Sequence, residues 1–328
     1  MFLNSTTIPE IYDYQNGLSL LAGVLILIIG LFGVITNSSI IFIFYKERSE
    51  RTSFNLICVF RAISNVIILS ATFLSVFFPK TLVGYQFYHP ALESSLIHLS
   101  LTLYLGNEYQ IVLVASNRFC SLFFPHWYSI AWGIGPTFIY LTLIYVYRLV
   151  KVYFELYDQI VEGCFTSYSS ELLLWIYDSN PTCKNEGDIL EVITYTFIIM
   201  TFVNVITFLK IISFYWSRRS QTMDKETRKR ISRNTVLFFQ TMLQDSLYLI
   251  DLTFTFKLSG LSNHRLWTFI SGTLVWECLH SIDGFIMIMF NERLSFLKKR
   301  FQPTPSVTIT HASRAVNTIS VSILPSVG

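Results

Sequence analysis

The stretch that decides the fold is residues 92–125, LESSLIHLSLTLYLGNEYQIVLVASNRFCSLFFP. Residues 92–114 are mainly apolar, and at about 1.5 Å of rise per residue they are long enough as a helix to cross the roughly 30 Å hydrocarbon core of a bilayer. The polar side chains within them include His98, Tyr104, Asn107 and Glu108. Hydrocarbon penalises such groups, so the stretch predicts a membrane helix whose polar side faces protein and whose Leu/Ile/Val side faces lipid.

The amino-acid composition indicates which class of protein this is. Of the 328 residues, 52% are hydrophobic, 16% are aromatic and only 14% are charged. A soluble domain of this composition would have too much apolar surface to hide, so lipid must be the solvent for much of the chain. The net charge of +3 is small, and the basic residues lie in short clusters between apolar runs. The sequence therefore predicts an integral membrane protein with no nucleic-acid partner.

Seven apolar runs predict an all-α membrane protein, a seven-transmembrane-helix bundle. The expected helices span about 18–44, 54–78, 92–117, 131–150, 189–214, 235–256 and 266–290. The fourth run is interrupted at its start by Gly133, Gly135 and Pro136. Arg148 and Lys151 limit its end, so this helix crosses the bilayer only if these two cations snorkel to the surface.

The segments that flank the bundle are polar. The seven-helix domain is expected to cover 18–301 and to end in a short amphipathic helix at 292–301. Residues 1–17 form the N-terminal segment, and residues 302–328 form a tail rich in Ser and Thr. Asn4-Ser5-Thr6 matches the glycosylation acceptor pattern, which predicts a glycan at Asn4 on an extracellular N-terminus.

The distribution of Lys and Arg predicts the orientation of the bundle. With the N-terminus outside, sixteen Lys and Arg residues lie in inner segments and six lie in outer segments. Basic residues accumulate on the cytoplasmic side of membrane proteins, so the N-terminus is expected outside and the C-terminus inside.

Cys164 and Cys183 lie in the same long polar segment, 152–188, which faces the oxidising side in this orientation. A disulfide between them would constrain the unfolded chain, by about 3 kcal/mol, and would hold the segment as a lid over the mouth of the bundle. The alternative is two unpaired thiols, which are a liability in that compartment.

Polar side chains recur along one face of the sixth run and along one face of the seventh. Those of the sixth run are spaced by four or three residues: Gln240, Gln244, Tyr248, Asp251 and Thr255. Those of the seventh run are three apart: Glu277, His280 and Asp283. The two stripes are expected to face the bundle interior, where each residue could simply make an interhelical hydrogen bond.

At the outer mouth these stripes predict a small-molecule pocket with apolar walls and a few polar groups. Its expected residues are His98, Leu101, Tyr195, Tyr248, Asp251, Trp276, Glu277 and His280. The alternative use of the polar members is structural, as hydrogen-bonded pairs between helices.

Arg61 is the basic residue that cannot reach the membrane surface, because it lies about 10 Å into the second helix. It needs an acidic partner, and the candidates are Glu108, Asp245 and Asp283. Such a pair could fix the register of the helices or could rearrange on activation. The expected intramembrane polar network is Asn37, Arg61, Asn65, Glu108, Asp245 and Asp283.

Several short motifs occur in a fixed order along the chain. They are the segment 33–37 in the first run, Arg61-Ala62-Ile63-Ser64-Asn65 in the second, Asn117-Arg118-Phe119 through Pro125 after the third, Cys164 and Cys183 in the outer loop, Phe239-Gln240 in the sixth run, and Trp276, His280 and Asp283-Gly284 in the seventh. In this order and spacing they resemble those of the nematode serpentine chemoreceptors, which are G-protein-coupled receptors, and most closely those of serpentine receptor class X.

The resemblance implies a receptor that binds a small-molecule chemical cue from outside and activates a heterotrimeric G protein at the inner face. Asn117, Arg118 and Pro125 are then expected to serve G-protein coupling, with Asn117 standing where rhodopsin-like receptors carry an acid. Rhodopsin-like receptors usually bridge the outer loop to the third helix, but no cysteine lies near Leu92, so Cys164 pairs with Cys183 or with nothing. The resemblance also implies a multi-pass protein of the plasma membrane, in the cilia of sensory neurons.

No catalytic motif is present in the sequence. It has no His-Glu-x-x-His zinc pattern, no phosphate-binding loop and no Gly-x-Ser-x-Gly. We therefore expect no enzyme activity, no cofactor and no metal site. The remaining alternative is a seven-helix transporter or ion channel, in which intramembrane acids relay ions. Ion or solute movement in liposomes without a G protein would favour that class.

Overall fold

The computed structural model describes residues 8–84, 88–177, 183, 189–217 and 225–290. These residues form a bundle of seven long helices. Their bounds are α1 Ile8–Lys46, α2 Ser53–Val83, α3 Pro90–Phe123, α4 Ile134–Glu162, α5 Ile189–Ser217, α6 Lys225–Thr253 and α7 Arg265–Phe290.

The shorter elements lie at the two ends of the bundle. A 3-10 turn, Arg48–Glu50, follows α1, and a short helix, Pro125–Ala131, follows α3. At the other end, β1 (Ser167–Ser169) and β2 (Leu174–Ile176) form an antiparallel hairpin between α4 and α5. We call this the hairpin end, and we call the opposite end, where α3 finishes, the Arg118 end.

The helix ends follow from local sequence. Thr52 caps α2 by accepting a hydrogen bond from the Asn55 backbone N–H at 3.2 Å. Pro90 stands in the first turn of α3, where no helical hydrogen bond is lost, and Pro125 prevents α3 from continuing. Gly163 ends α4 with a φ of 73°, a left-handed conformation that glycine adopts without steric cost.

In the part of the chain that the structure describes, three π-helical segments interrupt the helices in the half of the bundle nearest the hairpin. They are Leu69–Phe77 within α2, Phe254–Leu258 after α6 and Ile270–Leu274 within α7. A π-turn rotates the side chains that follow it, and such turns are frequent at functional sites.

Helix α3 is the centre of the bundle, and it packs against α2, α4, α5 and α6. Its polar residues Asn107, Glu108 and Gln110 are completely buried, as the sequence predicts for the protein-facing side. Among the described residues, five helices are long and apolar enough by themselves to cross a bilayer: α1, α2, α4, α5 and α7. Helices α3 and α6 are not among the five because polar and charged residues interrupt their apolar character.

Three helices, α1, α4 and α6, extend about ten residues beyond their expected bounds, and α6 does so because it begins at Lys225 and not at residue 235. Helix α1 begins at Ile8 and not at residue 18, since Pro9 is tolerated in a first helical turn. Helix α4 continues to Glu162 and not to residue 150, so the expected loop 152–188 contains a further stretch of helix. Arg148 therefore lies within α4 and is 3% exposed, which contradicts the expectation that it snorkels. Asn4, the expected helix 292–301 and the tail 302–328 lie outside the described residues.

Close contact between α1 and α7 depends on glycine. A Cβ atom at Gly284 would stand 2.5 Å from Asn37 Nδ2, and one at Gly33 would overlap the side chain of Ser281. No heavy atom lies within 4 Å of a Cβ at Gly135, near the start of α4. The close approach of α1 and α7 therefore requires glycine at positions 33 and 284, whereas position 135 on α4 has room for a larger side chain.

We predict that Gly284→Ala displaces Asn37 and lowers the thermal unfolding midpoint of the detergent-purified protein, because overpacking a close contact costs about 1–3 kcal/mol. The matched control is Gly135→Ala, which should be neutral or stabilising by up to about 1 kcal/mol, since alanine is the better helix former. Equal midpoints for Gly284→Ala and the parent protein would contradict the close contact.

Candidate functional site

The hairpin closes one end of the bundle. Tyr168 and Leu173 are 1% and 0% exposed, so both hairpin side chains insert between the helices. Leu173 adopts a φ of 58°, which turns the chain sharply between β1 and β2. Cys164 and Cys183 form a disulfide with Cα atoms 5.6 Å apart, which confirms the predicted pairing.

A buried ion pair anchors the hairpin to α2 and α3. Lys80 Nζ lies 2.7 Å from Glu93 Oε1, and both residues are buried. The same Glu93 oxygen accepts a hydrogen bond from the Tyr168 backbone N–H at 2.7 Å. The Tyr168 hydroxyl is 2.9 Å from Thr81 Oγ1. Burial of the Tyr168 phenol raises its pKa, so the hydroxyl keeps its proton.

Helix α7 holds the turn of the hairpin. Thr273 Oγ1 donates to the Leu173 carbonyl at 2.7 Å, and Thr268 Oγ1 donates to the Leu172 carbonyl at 2.6 Å. Arg265 Nη2 donates to the Ser170 carbonyl at 2.7 Å. The hairpin is thus fixed by three helices and by a disulfide.

Glu93→Gln should loosen the hairpin, because it leaves the Lys80 ammonium buried without a counter-charge. Removing one partner of a buried pair costs about 3–5 kcal/mol. We expect faster hydrogen exchange in residues 164–177 and a lower unfolding midpoint. The control is Glu155→Gln, which breaks the exposed Lys151–Glu155 pair at 3.6 Å and should cost about 0.5 kcal/mol or less. If the two variants behaved alike, the Lys80–Glu93 pair would not anchor the hairpin.

Below the hairpin, aromatic rings form a continuous column toward the middle of the bundle. Tyr168 stacks on Phe77 with ring centroids 4.2 Å apart, and Phe77 lies 6.2 Å from Trp276. Trp276 also contacts Phe73 at 4.9 Å, and its ring lies 6.2 Å from that of His280. These distances are those of favourable aromatic pairs. The column leads from the hairpin to His280 on α7.

A polar network continues from the column. His280 Nδ1 lies 2.8 Å from Asn65 Oδ1, and Asn65 Nδ2 donates to Asp283 Oδ2 at 2.8 Å and to Asn37 Oδ1 at 3.1 Å. Gln244 Nε2 donates to the other Asp283 oxygen at 2.7 Å. Asp283 therefore joins α2 and α6 to α7, and Asn37 adds α1.

Arg61 pairs with Asp283, one of its three expected partners. Its Nε lies 3.1 Å from Asp283 Oδ2, which is an ion-pair distance although the N–H is not aligned for a hydrogen bond. The guanidinium carbon also lies 4.7 Å from the ring centroid of Tyr248, in the range of a cation–π contact. Glu108, also fully buried, has no ion pair with Arg61, and Asp245 instead accepts a hydrogen bond from Asn204 Nδ2 at 3.3 Å.

Tyr145 is a member of the network that the sequence analysis missed. Its hydroxyl donates to Asn107 Oδ1 at 2.8 Å and accepts from Gln110 Nε2 at 2.6 Å and from Ser64 Oγ at 2.7 Å. Asn107 in turn donates to Asn65 at 3.2 Å. This tyrosine lies in an apolar run on α4 where no spacing pattern distinguishes it from a packing residue. The hydrogen-bonding pattern becomes visible only when α3 and α4 are in contact.

The structure brings together half of the expected pocket. Tyr104 links the pocket residues Tyr248, Asp251 and His280: its hydroxyl donates to Asp251 at 3.0 Å, and its ring lies 5.7 Å from Tyr248 and 6.0 Å from His280. Trp276, the fourth expected residue, belongs to the aromatic column, and its ring lies 6.2 Å from that of His280. All four expected residues are at most 4% exposed.

The other four expected pocket residues point elsewhere. Tyr195 is 60% exposed on the outside of α5, so its assignment to the pocket is wrong. His98 Nδ1 lies 2.8 Å from the Ser94 carbonyl of its own helix, and Leu101 packs in the hydrophobic core. Glu277 faces α1, where a Cβ at Gly30 would stand 3.0 Å from its Oε1.

At the Arg118 end, α3 is tied to α6. Arg118 is 3% exposed, and its Nη1 donates to the Thr241 hydroxyl and, at 3.4 Å, to the Phe238 carbonyl. The guanidinium also lies 5.4 Å from the ring centroid of Phe54 on α2. We call the contact of Arg118 with Phe238 and Thr241 the Arg118 bridge.

Asn117 supports the short helix that follows α3. Its Oδ1 accepts a hydrogen bond from the Tyr128 hydroxyl at 3.5 Å, and this hydroxyl also lies 3.2 Å from Ser53 Oγ on α2. The helix begins at Pro125 and leaves Trp127 and Ile130 74% and 75% exposed. The short helix thus presents apolar side chains at the Arg118 end of the bundle.

Asp283→Asn should destabilise the bundle strongly, because the Arg61 guanidinium would remain in the interior without its counter-charge, at a cost of about 3–5 kcal/mol. The unfolding midpoint in detergent measures the effect. The double variant Arg61→Gln with Asp283→Asn removes both charges and should recover much of the loss. If the double variant were as unstable as the sum of the two single variants, the two residues would not be coupled.

Comparison with known proteins agrees with this geometry. The family model for the serpentine type 7TM GPCR chemoreceptor Srx matches residues 27–291. No curated protein sequence matches the chain. Among solved structures, squid rhodopsin matches with a TM-score of 0.70 and 11% sequence identity over 88% of this chain and 81% of the rhodopsin chain. The match establishes a rhodopsin-like fold for this bundle.

Proposed function

Because the chain belongs to the Srx family of serpentine seven-transmembrane G-protein-coupled chemoreceptors, we propose that its hairpin end receives a small molecule from outside the cell and that its Arg118 end engages a heterotrimeric G protein. The chain is thus a multi-pass membrane receptor and not an enzyme. The observation that carries the proposal is the unbroken line of contacts from Tyr168 through Trp276 and His280 to Asp283.

The proposed orientation places the hairpin end outside. Sixteen Lys and Arg residues then lie in inner segments against six in outer ones. The disulfide suits the oxidising side. In this orientation residues 1–17 with a glycan at Asn4 are extracellular, and the helix 292–301 and the tail 302–328 are cytoplasmic. By analogy with the family, the receptor resides in the plasma membrane of sensory cilia.

The ligand pocket lies beneath the hairpin, around Tyr248, Asp251, Trp276 and His280. Aromatic walls with two or three polar groups suit a small molecule. A ligand here would press on Trp276, which contacts both the column and His280. A change in the Trp276 side chain would therefore reach the Asp283 network through a single neighbour.

Helix α6 is the element that moves when a ligand binds. It is tied to α7 by the Gln244–Asp283 hydrogen bond and to α3 by the Arg118 bridge. Since both ties are polar contacts inside the bundle, breaking them allows α6 to move as a rigid body at the Arg118 end. A ligand that favours the opened arrangement shifts the population of receptors toward it.

Asn117, Arg118 and Pro125 are the proposed coupling residues. Arg118 is held in the bridge while the bundle is closed, and release frees its planar guanidinium to bond carbonyl groups of an inserted G-protein helix. Asn117 and Pro125 position the short helix whose exposed Trp127 and Ile130 offer an apolar contact.

Thr241→Val removes one acceptor of the Arg118 bridge without changing side-chain shape, so we predict more nucleotide exchange in the absence of ligand. A hydrogen bond to a charged group contributes about 1.5–3 kcal/mol, which corresponds to a rise of about tenfold or more in the small active fraction. The measurement is GTP-analogue binding by purified heterotrimeric G proteins added to the receptor in nanodiscs.

The control for Thr241→Val is Thr253→Val on the same helix, where the threonine hydroxyl is exposed and bonds only the Leu249 carbonyl of its own helix. This control should leave basal exchange unchanged. If Thr241→Val also left it unchanged at equal receptor amounts, the Arg118 bridge would not hold the receptor inactive.

A further inference from the structure

A cavity of about 360 Å³ lies between α5 and α6. This volume falls in the range of small-molecule sites, roughly 300–1,000 Å³. Its walls are mainly phenylalanine and methionine side chains, and the polar residues of the lining are Thr201, Asn204, Asp245 and Ser246. None of the eight residues expected to form the pocket from sequence lies in this lining.

The rim of the cavity faces the side of the bundle. Val205 is 51% exposed, Phe239 is 55% exposed and Leu249 is 52% exposed. These three residues lie within the apolar runs 189–214 and 235–256, which places the opening at the depth of the hydrocarbon. The exposed rim of the cavity therefore opens toward lipid.

The floor of the cavity is polar. Asn204 and Asp245 are 5% and 6% exposed, and Asn204 Nδ2 donates to Asp245 Oδ2 at 3.3 Å. The Asn204 amide also contacts Met200 Sδ at 2.9 Å. The carboxyl group of Asp245 can accept more hydrogen bonds than this single one, since each oxygen has two lone pairs. A buried acceptor at the end of an apolar cavity selects a ligand that carries one donor.

We propose that this cavity binds an uncharged, lipid-soluble alcohol whose hydroxyl donates to Asp245 and whose hydrocarbon portion contacts the phenylalanines and methionines. An alcohol fits better than an ammonium, because a molecule that enters through lipid must first dissolve in hydrocarbon, where a charge is costly. The apolar walls contribute van der Waals contacts, because transfer from lipid to an apolar cavity gives little hydrophobic gain, and the single hydroxyl fixes the orientation.

The cavity lies next to the Arg118 bridge, so a molecule bound in it can regulate the receptor. Phe238 lines the cavity, and its carbonyl accepts from Arg118. Phe208 of α5 stacks on Phe238 with ring centroids 5.9 Å apart. A molecule lodged between α5 and α6 therefore acts on the Arg118 bridge. This regulatory effect rests on the proposed function, whereas the binding itself does not.

The test uses the full-length receptor in nanodiscs and a long-chain alkanol that carries a diazirine and a terminal alkyne. After irradiation, labelled peptides are mapped by mass spectrometry. We expect labels on residues 197–208 and 238–249, and at least about tenfold less labelling there by the matching methyl ether, which lacks the donor.

Three variants make the test specific. Ser246→Trp fills the cavity from its wall, where the serine hydroxyl bonds only the Met242 carbonyl of its own helix. It should abolish labelling of these two segments. Thr253→Trp, outside the lining on the same helix, should leave labelling intact. Asp245→Asn should reduce the preference for the alcohol over the ether.

Labelling spread evenly over the lipid-facing helices, or unchanged by Ser246→Trp, would overturn the site. Equal labelling by alcohol and ether would overturn the assigned ligand chemistry. All of these readouts are independent of a G protein. Loss of cavity labelling with normal ligand-dependent exchange would therefore refute this inference alone, and normal cavity labelling without any exchange would refute the proposed function alone.

Discussion

The ion pair between Arg61 and Asp283 is the constraint on which the rest of the bundle depends. A guanidinium in the middle of a membrane bundle is stabilised by a counter-charge, and for Arg61 that charge comes from α7. The Asp283 carboxylate then accepts hydrogen bonds from Asn65 and Gln244, so α2, α6 and α7 meet at one side chain. Buried pairs add little net stability compared with apolar packing, and their value is that only one arrangement satisfies them.

The two ends of the protein are connected to this centre by different kinds of contact. On the hairpin side, rings in van der Waals contact lead from Tyr168 to Trp276 and His280. On the other side, α6 passes from Gln244 to Thr241 and Phe238 within two turns and meets Arg118 there. Packed rings transmit displacement, and polar bridges supply discrete bound and released states. The combination suits a switch between two packings.

Much of this arrangement is predictable from sequence, and the rest depends on helix rotation. The apolar runs predict the bundle, and the need of Arg61 for an acid narrows its partner to three residues, of which Asp283 is one. Tyr195 was placed wrongly because α5 is apolar on all sides, so periodicity does not determine which face is buried. Tyr145 was missed because a tyrosine in an apolar run has no pattern that separates a packing role from a polar one.

Burial of the polar residues in α3 and α6 could be predicted, because these two helices are not apolar on all sides. Both helices carry clear stripes, so their inward faces were predicted correctly, as the full burial of Asn107 and the 1% exposure of Gln244 indicate. Asp245 follows Gln244 directly and points about 100° away around the helix, toward α5. Asp245 therefore lines the cavity between α5 and α6, and Arg61 forms its ion pair with Asp283.

The most direct measurement is the distance between spin labels at Trp127, on the short helix that follows α3, and at Arg233 on α6, with Cys120 and Cys278 replaced. The account predicts that Gln244→Leu, which removes the tie of α6 to Asp283, broadens the distance distribution and shifts it to longer values in a receptor that is still folded. A distribution identical to that of the labelled parent would contradict the claim that the Asp283 network holds α6 in place.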